Sequence, residues 1–362
     1  MTGRVLSTRE LNRALLARQL LLERSELPLE AALEQVAGLQ AQYAPSPYVG
    51  LWSRLRDFRR DRLTTALEER RAVQATLLRV TIHVVSAADY PLFTEAVRAA
   101  RREWWTRAAR GQLGGADPEA AAALVRERLA AGPARQPELI RLLTDQGFPR
   151  AIWTGVGLWV DMVRVPPSGT WERRRADLYG LAADWLGPWK ADPDEALEHL
   201  VRRYLAGFGP ASLADLGSWA GLPLTPLRPV LERVGTRRFR DGQGGELFDL
   251  PDAPLPDPGT PAPPRFLSTW DANLLVHARR TQLLPERHRG RIFHVRAPHS
   301  FPTFLVDGAV AGTWRHQDGQ IELEPFEPLA PAARRALEDE AERLAAFHTG
   351  CPGRFGPAGG RR

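Results

Sequence analysis

The sequence predicts a mostly α protein with β structure, of the α+β class, built as tandem winged helix-turn-helix units followed by a β-rich C-terminal domain, a small barrel or meander. Three observations carry this expectation. Amphipathic helical segments recur in three similar units, two of which end in short strands joined by a Gly-rich or Pro/Gly turn. A Pro-rich run, "PDAPLPDPGTPAPP" from residue 251, then breaks the pattern. Beyond it the apolar residues alternate with polar ones around Asp307-Gly308 and Asp318-Gly319, both strong hairpin dipeptides.

The first unit, residues 1–110, opens with Ser7 and Glu10 at capping-box spacing ahead of "LNRALLARQLLLE". A second helix is expected from Pro28 through "EAALEQVAGLQ", stopped by the prolines of "APSP". In the second unit, 111–190, one helix stops at Gly147 and a second carries Ile152, Val156, Trp159 and Val163. "MVRV", the turn "PPSG" and a return strand "TWERRR" would make its wing. The third unit, 191–250, repeats this order, with Ser212 and Asp215 at a helix start, Gly221 at its stop, a second start at Thr225-Pro226, and "RRFR", "DGQGG" and "ELFDL" as a wing. Residues 251–264 form the linker and 265–362 the C-terminal domain, closed by a helix from about Pro331 to Phe347. A helix-turn-helix with a wing, recurring in one chain, is an architecture whose usual ligand is duplex DNA, although winged helices also bind proteins.

Composition narrows the function. With 362 residues, 25% of them charged, the chain is long enough for several domains with a buried core. The net charge is +6 and Lys190 is the only lysine. Arginine usage of this kind follows from a GC-rich genome, but the positive sign itself favours a polyanionic partner, for which "RREWWTRAAR" supplies both charge and planar faces. The start has no signal-peptide pattern and no stretch approaches the roughly 18 apolar residues that span a bilayer, so a cytoplasmic, nucleoid-associated monomer with no membrane partner is expected. A single cysteine, Cys351, disfavours disulfides, zinc knuckles and iron–sulfur clusters. His288, His294 and His299 cluster without a carboxylate or cysteine at ligand spacing, so neither metal nor cofactor is expected. No phosphate-binding glycine loop and no Ser or Cys triad occurs.

One pattern is out of place. Gln40 falls on the apolar stripe of Leu33, Val36 and Ala37, where a core residue belongs, and Gln42 follows two residues later. Within a regular helix the two would diverge by about 200°, whereas a helix unwinding before Pro45 would aim both amides into one cleft. The competing reading makes Gln40 a cap for a buried backbone group and Gln42 a solvated side chain.

In "GLQAQYAPSPYVGLWSR", "LLRVTIHVVSAADYPLF", "FLSTWDANLLVHARR" and "FLVDGAVAGTWR" the chain resembles the AlkZ- and YcaQ-like winged-helix DNA glycosylases over nearly its whole length. The resemblance implies tandem winged helices with a C-terminal β-domain, and cofactor-free excision of bulky N7-alkylated purines from duplex DNA, including unhooking of interstrand crosslinks. It also implies a catalytic Q-x-Q, or in another branch Q-x-D, matched here by Gln40-Ala41-Gln42. An N7-alkylguanine is already cationic and leaves readily, so neutral amides that hold a water beneath the sugar would suffice.

For DNA contact the sequence offers Trp52, Arg54, His83, Arg173, Arg174, Arg289 and Arg291. Trp52 and Arg54 follow the glutamines closely enough to line the same cleft or to pack the domain. His83 lies in a strand, where packing competes with contact to the lesion. Asp271, His277 and Arg279 fit a buried ion pair between the β-domain and the winged helices as well as they fit chemistry. Two rivals stand against the enzyme: a non-catalytic winged-helix regulator or architectural protein, and a protein-interaction scaffold.

Overall fold

The structure is a computed structural model that describes residues 4–275, 280–293 and 300–350. The N-terminal unit comprises β1 (Val5–Leu6), α1 (Thr8–Arg18), α2 (Leu29–Gln35), β2 (Leu39–Gln40), α3 (Ser46–Arg54), α4 (Arg60–Glu68), β3 (Ala72–Thr76), β4 (Ile82–Ser86) and the long α5 (Asp89–Leu113). Ser7 and Glu10 form the expected reciprocal cap on α1. The second helix corrects the sequence reading: it ends at Gln35, five residues before Gln40. Ala37 (φ 58) and Gly38 (φ 80) turn left-handed, and Gly38 N closes back on Leu33 O at 2.8 Å. Only glycine fits here, because a Cβ on residue 38 would stand 2.7 Å from Val85 Cγ1. The chain therefore leaves the turn as a strand, and Gln40 is a strand residue.

The second unit contains α6 (Pro118–Ala130), β5 (Ala134–Arg135), α7 (Gln136–Asp145), α8 (Trp153–Val156), β6 (Met162–Arg164), β7 (Leu178–Leu181) and α9 (Ala182–Leu186). Its second helix is one turn long, and Val163 lies on β6 rather than on a helix. The return strand is β7, not "TWERRR". Ser168 explains the difference: its Oγ donates to Arg175 O and accepts from Asp177 N and Leu178 N, which folds residues 166–177 into a loop. The wing is not a separate ribbon. β3 pairs with both β4 and β6, giving one six-stranded sheet in the order β2-β4-β3-β6-β7-β5 that spans the first two units.

The third unit follows its sequence expectation closely, with α10 (Pro193–Phe208), α11 (Leu213–Ala220), α12 (Leu227–Val234), β8 (Arg237–Asp241) and β9 (Glu246–Asp249). Ser212 and Asp215 cap α11, and Gly221 ends it left-handed. β1 joins β8 in parallel, so this wing is a three-stranded sheet. Aromatic residues of α5, α10 and α11, namely Phe93, Tyr204, Phe208 and Trp219, pack with Val73, Ala75, Val85 and Val163 of the large sheet in one core.

The linker lies along α1, where Arg18 Nη2 donates to Pro254 O at 2.9 Å and Arg13 Nε to Thr260 O at 2.7 Å. It leads to β10 (Arg265–Leu267), α13 (Ala272–Leu275), α14 (Arg289–Ile292), β11 (Thr303–Val306), β12 (Ala309–Gln317), β13 (Gln320–Pro325) and α15 (Pro331–Thr349). The strands form a four-stranded antiparallel meander, with no barrel closure among the described residues. Both hairpins turn on left-handed Asp-Gly pairs, 307–308 and 318–319. No described helix is long and apolar enough to cross a membrane.

Candidate active site

On an extended strand, alternate residues share a face. Gln40 is the last residue of β2, and the ladder continues through Ala41 N, which donates to Ile82 O at 2.7 Å. Gln42 lies just past the strand, in an exposed bend, so the motif sets one amide on the buried end of the strand and the other at the end of the ladder. Cross-strand pairing sets their neighbours: Gln40 stands opposite His83, His83 opposite Ala75, and Ala75 opposite Val163. The face presents a glutamine and a histidine side by side, followed by small and apolar residues.

Each carbonyl is anchored. Gln40, buried, accepts at Oε1 from Arg79 Nη2 at 3.0 Å. Gln42, exposed, accepts at Oε1 from Ile82 N at 3.0 Å, which terminates the β2–β4 ladder. These bonds assign the amide orientations and direct both Nε2 groups away from the backbone, with no acceptor for either among the described residues. His83 is fully enclosed and its pKa is pushed down to about 3, first by burial and then by the charge of Arg79. Its ring is therefore neutral at physiological pH, with Nδ1 donating to Thr81 O at 3.0 Å and Nε2 left as an acceptor. The charges that act on this ring are Arg79 and Arg101, and no carboxylate is among them.

Sequence reasoning missed Arg79. It turns the β3–β4 hairpin with Val80, both left-handed (φ 53 and 60), although "LLRVTIH" has no Gly, Asn or Asp to mark a tight turn. A β-branched residue in that region is strained, and such strain persists only where surroundings enforce it. Here they do: Leu77 N bonds Thr81 O at 2.9 Å, and Arg79 Nη1 donates to Trp219 O at the end of α11. Arg101 was offered only as part of the charged run "RREWWTRAAR", although its spacing signals a buried place. It sits on the α5 stripe of Phe93, Val97, Trp105 and Ala109, one charge among buried apolar residues at four-residue spacing.

The remaining sequence candidates divide. Arg174, on the loop after β6, reaches the site's edge: its Nη1 donates to Tyr43 OH at 3.1 Å, and Tyr43, next to Gln42, is an exposed aromatic. Arg173 is exposed on the same loop. Arg54 is enclosed and bonds Asp271 Oδ2 at 3.1 Å, Gly50 O and Gln19 Oε1, so it joins α3 to the β-domain and does not face solvent. Trp52 is buried under α15, with Arg24 stacked 4.5 Å from its ring. It edges a cleft of about 1340 Å³ with Phe58, Arg59, Arg60 and Phe347, which does not include Gln40 or Gln42. Arg289 and Arg291 lie on α14; Arg291 stacks 4.2 Å from Phe326 and pairs with Glu324 at 3.7 Å, and Arg289 pairs with Glu286 at 3.6 Å. His288 is buried against Phe326 and near Glu327. His277, Arg279, His294, His299 and Cys351 lie outside the described residues. Among the described residues no group of three or more His, Cys, Asp or Glu is placed to hold a metal ion.

Comparison with known proteins bears on the fold and the family. The structure superposes on the Streptomyces sahachiroi DNA glycosylase AlkZ with a TM-score of 0.79, covering 96% of this chain and 98% of that one at 19% identity, which establishes the fold. The interstrand DNA cross-link repair glycosylase of Streptomyces sahachiroi is 27% identical over 176 residues, and that alignment spans 46% of each protein's length. Residues 33–347 match the family described as DNA glycosylase AlkZ-like, and by that match over most of its length the chain belongs to the AlkZ-like DNA glycosylase family.

Proposed function

We propose that this protein is a monofunctional DNA glycosylase that hydrolyses the N-glycosidic bond of bulky N7-alkylpurines in duplex DNA, interstrand crosslinks among them. The observation that carries the reading is the face on which Gln40 stands beside the neutral His83, with Arg79 bonded to the Gln40 carbonyl and Gln42 at the end of the same ladder. Such a face orients water but abstracts protons weakly. Gln40 Nε2 can donate to a water oxygen, while His83 Nε2 and the second lone pair of Gln42 Oε1 accept its hydrogens. This suits a substrate whose base is already cationic and leaves without a general acid, through an oxocarbenium-like transition state that asks chiefly for a positioned nucleophile.

The name of the crosslink-repair relative supports the substrate class. Hydrolysis would release the base and leave an abasic site. Strand cleavage through a lysine Schiff base finds no support, since the single lysine, Lys190, is exposed in the segment between α9 and α10. Around the amides, Tyr43, Arg173 and Arg174 form the adjoining surface for a DNA strand. The test is chromatography of free bases released from duplexes carrying N7-methylguanine, a bulky N7-guanine adduct, an N7 crosslink or uracil. Release from the cationic lesions and none from uracil is expected; release from uracil alone, or from nothing despite tight DNA binding, would refute the reading.

A further inference from the structure

Arg101 is more than nine-tenths buried in the middle of an apolar helix stripe, yet it makes no ion pair, hydrogen bond or ring contact with any described residue, and its Nε is enclosed without a partner. A buried guanidinium is ordinarily paired, because leaving it unpaired costs several kcal/mol. The stripe that carries it packs on β4 and on the sheet face that bears Gln40 and His83. Arg79, which acts on the same His83 ring, also has no carboxylate partner among the described residues; it bonds Gln40 Oε1 and Trp219 O. Burial lowers the pKa of both to about 10, so both stay charged. Two cations without a described acid partner thus act on the site proposed above.

That arrangement is unfavourable for the proposed chemistry on its own, since positive charge beside a developing oxocarbenium ion raises its energy. It becomes favourable once an anion enters, and the anion a nucleic-acid substrate brings is its backbone. We propose that Arg101, with Arg79, is a receptor for one phosphodiester of the damaged strand next to the nucleotide being cleaved, which makes the substrate supply the counterion that the protein omits. This rests on the glycosylase reading. Arginine suits the role, because its planar fork can bond two phosphate oxygens at once.

The experiment measures binding without chemistry. Duplexes containing an uncleavable tetrahydrofuran abasic analogue, each with a single phosphate replaced by a neutral methylphosphonate, are titrated with wild type and R101M across a salt series. At one phosphate beside the analogue, wild type is expected to lose about tenfold in affinity and R101M nothing further, with the salt slope of R101M on the natural duplex smaller by about one. R101M should also melt at the same temperature as wild type or higher, because an unpaired buried charge is removed. Equal methylphosphonate penalties in both proteins, or an unchanged salt slope with a lower melting temperature, would overturn the site and make Arg101 a packing residue. Release of N7-methylguanine by wild type, run in parallel, separates the two ideas. Release without the phosphate coupling removes Arg101 alone, whereas coupling without release keeps the phosphate site and removes the enzyme.

Discussion

Arg79 Nη2 donates to Gln40 Oε1 at 3.0 Å, and this bond decides which end of the Gln40 amide faces the site. With the carbonyl held from behind, the amide donor points forward. R79M should free the amide and slow base release by about 10- to 100-fold, the range for losing one oriented group. If Arg79 acts through Gln40, adding Q40A to R79M should cost much less than Q40A costs wild type, a non-additivity that a double-mutant cycle detects. Additive losses would mean that Arg79 does not work through this amide.

Gln42 accepts a backbone hydrogen bond at the end of the β2–β4 ladder, a task that any side-chain carbonyl or carboxylate of similar length can perform. Q42E should therefore retain activity, and Q42A should lose about 10²–10³-fold in single-turnover rate. Equal losses in both variants would indicate that the amide nitrogen, not the acceptor, is the working atom.

His83 links the site to pH. Its folded pKa of about 3 lies below the unfolded value of 6.5, so the unfolded chain binds the proton that the folded chain refuses. The associated stability is fully present above about pH 6.5 and is lost as pH falls toward 3, by at most about 1.4 kcal/mol per pH unit from this residue. Urea denaturation at pH 7, 6 and 5 should show the decline in wild type and a shallower one in H83Q. Base release should show no inflection from His83 between pH 5 and 8; an inflection that H83Q abolishes would contradict the assigned neutral state.

Arg54 and Asp271 form an enclosed ion pair across the contact between α3 and the β-domain. Removing one partner leaves the other charge buried, so R54M and D271N should each destabilise by about 3–5 kcal/mol. Denaturant midpoints check the loss, and the salt slope of DNA binding should not move, as it would if Arg54 met a phosphate.

How much of this was legible depends on where each signal was local. The cap of α1, the cap of α11 and the Asp-Gly hairpins were readable because each is specified by a few adjacent side chains. The end of α2 was not, since its left-handed turn begins on Ala37 rather than on a glycine, and the helical apolar spacing runs past it into a strand. That error hid the local geometry of the motif: Gln40 ends a strand and Gln42 caps the ladder beyond it. The shared sheet of the first two units was equally invisible, because β3 pairs with β6 across almost 90 intervening residues. Arg54 and Trp52 were misplaced for a simpler reason, as nearness in sequence to the motif says nothing about facing it. Arg101 was readable in principle, as a charge in the middle of a largely apolar stripe that begins at Asp89, but its significance appears only once no described acid is found to pair with it.

The most direct measurement is single-turnover release of N7-methylguanine from a duplex by wild type and by Q40A/Q42A, with affinity for the uncleavable abasic-analogue duplex determined for both. Release by wild type, slowed at least about 100-fold in the double variant with affinity unchanged, is the expected result and would locate the chemistry at Gln40 and Gln42, at the end of β2. Release at the wild-type rate by the double variant would contradict it, leaving Gln40 and Gln42 as the terminal bonds of a sheet.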